Sequence, residues 1–209
     1  MNVKTIKIKW AESELKQNTH IVEFEDSCII VDAGCSVDSV KEMTNKSIKA
    51  VFITHGHFDH IKNLEEYDKL NVPIYASKNI TELLNDESKN VSVLFNQPHK
   101  YKINNLVFIE DNEEIETCNH IIKCYLTPGH SGDSACYLLD DGTLFSGDTL
   151  FSITVGRTDL PTGDKKELIR SLNKILSLDY KTLFTGHGRP SDRQEQNKNI
   201  PKWIDYLSR

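Results

Sequence analysis

The chain has 209 residues, 38% hydrophobic and 27% charged, enough apolar material for a substantial core in one globular domain over residues 1–209. Its formal charge of -6 argues against broad electrostatic attraction to nucleic acid or to an anionic membrane, and no stretch is apolar for long enough to span a bilayer. Five cysteines (Cys28, Cys35, Cys118, Cys124, Cys136) form an odd set without paired spacing, which suits reduced thiols in a cytoplasmic protein.

The N-terminal run Met1–Trp10 alternates apolar and polar residues with period two and predicts a strand, followed by strands over Asn18–Glu25 and Ser27–Val31. His20 falls inside the alternating pattern and reads as structural. The third strand ends in Asp32-Ala33-Gly34, where Asp32 suits either a turn or a carboxylate that orients a ligand histidine. Ser36 predicts the cap of a short helix to about Asn45, and Ile48–Thr54 is the next strand. A helix over Ile61–Leu70, a strand over Val72–Ala76 and a helix over Lys78–Asn85 capped by Ser77 follow. Val91–Tyr101 has no clear period and reads as a loop or short helix, with His99 a solvated side chain.

From Leu106 the pattern turns to short strands, Leu106–Glu110, Glu114–Cys118, His120–Leu126, Ala135–Leu139 and Thr143–Ser146, punctuated by Asp111-Asn112 and Asp140-Asp141-Gly142. Lys165–Leu178 is the strongest helix: Leu168, Ile169, Leu172, Ile175 and Leu176 make one face, and Asp164 with Glu167 makes a capping pair. Lys181–Thr185 is a last strand and Arg193–Leu207 a last helix. This order predicts an α/β (α+β) chain of two mixed β-sheets covered by outer helices.

The chemistry gathers after the Ile48–Thr54 strand, in Thr54-His55-Gly56-His57-Phe58-Asp59-His60, where four ligand-type residues occupy six positions. On an extended segment, His55 and His57 point to the same side and could share one ion. Asp59 and His60 fall where the chain turns into a helix and could serve a second. Imidazole and carboxylate donors suit Zn²⁺, Fe²⁺ or Mn²⁺, and the lack of a cysteine among them argues against a closed structural zinc site. Three further segments place a ligand-type residue beside glycine just past a strand: Thr127-Pro128-Gly129-His130-Ser131, Phe145-Ser146-Gly147-Asp148-Thr149 and Thr185-Gly186-His187-Gly188.

Taken together these segments resemble the metallo-β-lactamase superfamily, whose T-H-x-H-x-D-H pattern followed by His, Asp and His is filled here by Thr54, His55, His57, Asp59, His60, His130, Asp148 and His187. The resemblance implies a four-layer αβ/βα sandwich with two divalent metal ions at the sheet edges, zinc being favoured and iron or manganese fitting as well. It assigns His55, His57 and His130 to the first metal, Asp59, His60 and His187 to the second, and Asp148 to the bridge. Asp32 and Thr54 are expected to support the ligands from behind. The segments Gly129–Ser134, Gly147–Phe151 and Gly156–Pro161 are most similar to glyoxalase II and its short bacterial relatives.

Glyoxalase II carries a C-terminal helical domain that grips glutathione, whereas this chain ends shortly after His187. The activity so implied is hydrolysis of a small-molecule acyl-thioester by a hydroxide shared between the metals, with Asp59 orienting the nucleophile or taking its proton, and Arg157 meeting a substrate carboxylate. The rival readings are a persulfide dioxygenase, with one iron on His55, His130 and Asp148, and another hydrolase of the same fold such as a lactonase or β-lactamase.

Overall fold

The computed structural model describes residues 1–9 and 16–209, so Trp10, the end of the first predicted strand, lies outside the described residues. The first sheet runs in spatial order β1 (Asn2–Lys9), β2 (Lys16–Glu23), β3 (Ser27–Val31), β4 (Ser47–Phe52), β5 (Ile74–Ser77) and β6 (Leu106–Ile109). Its first three strands pair antiparallel and the rest parallel. The second sheet runs β12 (Ser191–Asp192), β11 (Thr182–Phe184), β10 (Thr143–Phe145), β9 (Ala135–Leu139), β8 (His120–Leu126) and β7 (Glu114–Thr117), with only β10 and β11 parallel.

Residue alternation along the strands explains how the sheets stack. In β4, Ala50 and Phe52 enter a core shared with Ile122, Ala135, Tyr137 and Phe145 of the second sheet, while Val51 and, just past the strand, Ile53 enter a core on the opposite face. That outer core is completed by α1 (Val37–Met43), α2 (Phe58–Ile61), α3 (Leu64–Asp68) and α4 (Ile80–Leu84). A third core joins the second sheet to α5 (Lys165–Ser177) and α6 (Arg193–Ser208) through Leu168, Leu172, Ile175 and Ile200. The result is the expected sandwich of two mixed sheets between helical layers. Cys28, Cys35, Cys124 and Cys136 pack inside it as small apolar groups, and burial pushes the Cys124 thiol up to about 12.

Several predicted boundaries change. The helix expected over Ile61–Leu70 is two short helices, because Asn63 between them turns its backbone N–H to the Ala33 carbonyl (2.9 Å) and its side-chain amide to the Gly34 carbonyl (2.5 Å). Ser77 does not cap α4 directly; Asn79 occupies that position, and the Ser77 hydroxyl accepts from its N–H at 3.3 Å. Asp164 caps α5 as expected by accepting from the N–H groups of Lys166 and Glu167, but the Glu167 carboxylate turns to Arg170 instead of back to the cap. Within Val91–Tyr101 a 3₁₀ turn forms over Ser92–Phe95, and His99 lies exposed beside Glu65.

Strand directions gather the chemistry at one edge. β8, β10 and β11 end on the same side of the second sheet, and β3 and β4 end together in the first. The Ala135 N–H donates to the Thr54 carbonyl (2.8 Å), which joins the end of β4 to the start of β9 and so brings the two edges together.

Candidate metal centre

All seven expected donors converge at this edge. The ligand atoms of His55, His57 and His130 lie within 4.8 Å of one another, as do those of Asp59, His60 and His187, and those of His55, His60 and Asp148. His57 is still extended (φ -71°, ψ 145°) and is the residue before α2, whereas Asp59 and His60 lie in its first turn. That change of backbone separates the two groups, and Asp148 stands between them. One of its oxygens is 3.4 Å from His60 Nε2; the other is 3.4 Å from His187 Nε2 and 3.7 Å from His130 Nε2.

The groups behind the ring nitrogens decide which nitrogen is free. His130 Nδ1 faces the Arg157 carbonyl at 2.8 Å and His187 Nδ1 faces the Lys16 carbonyl at 3.2 Å. A carbonyl can only accept, so both rings carry the proton on Nδ1 and turn an Nε2 lone pair inward. Asp32 does the same for two more. Its Oδ2 accepts from His60 Nδ1 at 2.7 Å, and its carboxylate accepts from the Thr54 N–H and hydroxyl. Thr54 Oγ1 in turn accepts a hydrogen bond from His55 Nδ1–H at 3.2 Å. His57 is reversed, with Nδ1 3.0 Å from His130 Nε2. His55 Nε2, His57 Nε2 and Asp148 Oδ1 are buried without a hydrogen-bond partner, a costly state that a cation within a His and carboxylate donor set would relieve for groups facing it.

Electrostatics point the same way. Burial opposes charge on every ring and pushes His57 down to about 3, with His55 and His130 also lowered. Burial acts on His187 and His60 too, but Asp148 and Asp59 draw His187 up to about 10, and Asp32, Asp148 and Asp59 draw His60 well above the imidazole range. Three carboxylates enclosed in one place demand positive charge, whether from protons or from metal.

Two supports were not legible in the motifs. Asp133, fully buried, accepts from the Gly56 N–H (2.7 Å) and from the Ser131 hydroxyl (2.5 Å), so it clamps the turn between His55 and His57 to the segment carrying His130. Its place in Gly129–Ser134 was the only signal. Asn18 and His20, on β2 of the opposite sheet, hold the His187 loop: the Asn18 N–H donates to Gly186 (2.7 Å), the Asn18 amide to Thr185 (2.9 Å), and His20 Nε2 to Thr185 (3.1 Å). Glycine is required twice here. Gly147 has φ +51° and a Cβ there would stand 2.4 Å from Thr54 Oγ1, while a Cβ on Gly186 would stand 2.1 Å from Asp148 Oδ1. The Arg157 guanidinium lies exposed at the rim, paired to Asp159 at 2.5 and 2.6 Å, and the residue enters the centre through its carbonyl alone.

Two donor groups sharing one aspartate at the edge of an αβ/βα sandwich define a metal-dependent hydrolase. The family described as the metallo-β-lactamase superfamily matches residues 13–187, and the chain belongs to it. It is 32% identical over 203 residues to the probable metallo-hydrolase YqgX of Bacillus subtilis (strain 168), covering 91% of this chain and 96% of that one. It is 33% identical over 176 residues to the hydroxyacylglutathione hydrolase of Buchnera aphidicola subsp. Schizaphis graminum, covering 82% of this chain and 62% of that protein. Among solved structures, the BLEG-1 B3 metallo-β-lactamase superposes with a TM-score of 0.85 at 26% identity, covering 97% of this chain and 99% of that one.

Proposed function

We propose that the chain hydrolyses small acyl-thioesters at a site holding two divalent metal ions, preferably zinc. The observation that carries this reading is the position of Asp148, whose two oxygens reach toward both donor groups. His55, His57 and His130 would hold one ion, Asp59, His60 and His187 the other, and Asp148 both. When bound, the ions would lower the pKa of water and draw electron density from the substrate carbonyl. The chain's own part is to fix geometry and protons. Asp32, Thr54 and the carbonyls of Arg157 and Lys16 keep four Nε2 lone pairs turned inward, and Asp59, 3.2 Å from His187, would orient the attacking water and receive its proton. Water adds to the carbonyl carbon, the C–S bond breaks, and the products are a carboxylic acid and a thiol. A substrate role for the Arg157 side chain requires it to leave Asp159. The resemblance to a hydroxyacylglutathione hydrolase supports the thioester as substrate.

A second reading, hydrolysis of a β-lactam, has in its favour the similarity to a B3 metallo-β-lactamase. One zinc-loaded preparation, with an iron-loaded one beside it, separates the readings through thiol release from a thioester panel, ring opening of a chromogenic β-lactam, and oxygen uptake with a persulfide. Thiol release in the zinc form is expected. Oxygen uptake by the iron form without thioester cleavage would replace the hydrolase with a dioxygenase.

A further inference from the structure

Two clefts open onto the metal centre; of the apolar side chains that wall them, Phe151, Ile153, Val91 and Leu94 belong to none of the three cores, whereas Val155 is part of the third and Phe95 packs against the first. The clefts meet at His130, Asp148, Arg157 and His187. The larger, about 440 Å³, is walled by Phe151, Ile153 and Val155; the smaller, about 230 Å³, by Val91, Leu94 and Phe95. Ile153 is 67% exposed and Leu94 66%, two of the most solvent-exposed large apolar side chains among the described residues. Single exposed apolar residues need no explanation, but two that line clefts meeting at one catalytic edge do.

Neither side chain is exposed because its segment is loose. The loop carrying Ile153 closes on itself through the Phe151 N–H and the Thr154 carbonyl (2.8 Å). It is also clamped to α6, where Gln196 and Asn199 donate to the Ser152 carbonyl (2.9 and 3.0 Å) and the Trp203 indole to the Ile153 carbonyl (3.1 Å). On the other side, Val91 takes φ +58°, a left-handed conformation that a β-branched residue adopts only under constraint, and the 3₁₀ turn bearing Leu94 starts from it. Among the described residues, and aside from the donors, the only charged side chain lining either cleft is Arg157, which is neutralised by Asp159. The surface that the described residues offer to a substrate is therefore apolar, preformed and without a free cation.

We propose that this site selects thioesters with an unbranched apolar acyl chain, seated in the larger cleft against Phe151, Ile153 and Val155, over short or anionic acyl groups. The proposal rests on the thioester reading for the bond cleaved, but the chain-length selection comes from the cleft. Burying each added methylene at about 0.8 kcal/mol corresponds to a gain of about fourfold.

The test uses acetyl, butyryl, hexanoyl, octanoyl and succinyl thioesters of one small neutral thiol, with the matching p-nitrophenyl oxoesters in parallel. It is run on the zinc-loaded protein, Ile153→Asp and Leu94→Asp; both changes lie on exposed side chains. Displacement of a neutral alkyl-naphthalene dye by the corresponding alkyl alcohols gives a readout independent of hydrolysis. The expected result is kcat/KM rising about two- to fourfold per methylene up to octanoyl, with succinyl poorest, and this dependence flattened in Ile153→Asp but kept in Leu94→Asp. Chain-length selection in the oxoesters or in dye displacement without thioester cleavage would overturn the thioester reading and leave this proposal standing. Thioester cleavage indifferent to chain length, or a dependence unchanged in Ile153→Asp, would overturn the proposal and leave that reading intact.

Discussion

Asp32 sets the protonation of the centre more than any residue outside the donors. It sits at φ +64° directly after β3, and one carboxylate serves both His60 and, through Thr54, His55. Asp32→Asn keeps the shape, and asparagine tolerates the left-handed backbone, but it removes the anion that favours the Nδ1 proton on His60. Metal affinity should then fall by about 10–100-fold, the usual cost of losing a partner behind a ligand. A competition titration with a chromogenic chelator checks this, and wild-type affinity would show that Asp32 is a turn residue only. Asp148→Ala should abolish turnover and lower the bound metal, with the far-UV circular dichroism of the native fold retained, since the three apolar cores contain none of the donors. Full metal content and turnover in that variant would remove Asp148 from the bridge.

At the scale of elements, β2 does two jobs. Its buried residues pair the first sheet, and its start grips the second sheet's His187 loop through Lys16, Asn18 and His20. Asn18→Ala leaves the Thr185 carbonyl short of a donor and should destabilise the fold by roughly 1–3 kcal/mol. Its specific signature is a fall in bound metal from two ions toward one per chain, because only the group containing His187 is loosened. Two ions held with unchanged affinity would make Asn18 merely structural. At the other end of β2, Glu23 is held down to about 2 by hydrogen bonds from Lys4, Thr44 and Asn2, against an ordinary value of 4.5. A carboxyl whose folded pKa is depressed stabilises above its unfolded value and loses that contribution as pH falls through the folded one. The urea midpoint of wild type should exceed that of Glu23→Gln at pH above 4.5, and the gap should close between 4.5 and 2. A gap constant across that window would rule out the ion pair as its source.

For the whole molecule, the enclosed carboxylates Asp32, Asp59 and Asp148 make metal a part of stability as well as of chemistry. An ion that binds only the folded chain at 100 times its dissociation constant contributes about 2.7 kcal/mol. For a protein of this length that is a Tm difference of roughly 5–10 °C between loaded and chelated protein. Calorimetry with and without chelator measures it, and identical transitions would mean that the centre is preformed and indifferent to charge.

The sequence by itself determined most strands and their grouping into two sheets, since alternating runs follow from burial of one strand face and continuous apolar runs such as Ala50–Ile53 from burial of both, and the order of the donors was legible through the family pattern. The separation of His55 and His57 from Asp59 and His60 was legible too, because it follows from where an extended segment becomes a helix. Only the tertiary structure decided what stands behind the donors. That Asn63 would break a helix to reach Ala33 and Gly34, that Asp133 would clamp Gly56, and that Asn18 of one sheet would hold the His187 loop of the other depend on partners 29 to 168 positions away. For Arg157 the motif suggested a substrate contact, and the structure turns its carbonyl to His130, 27 positions away, while its guanidinium pairs with Asp159, two positions along. Hydrogen bonds at such separations leave no period in the chain, because they form only once the cores have brought the two sheet edges together.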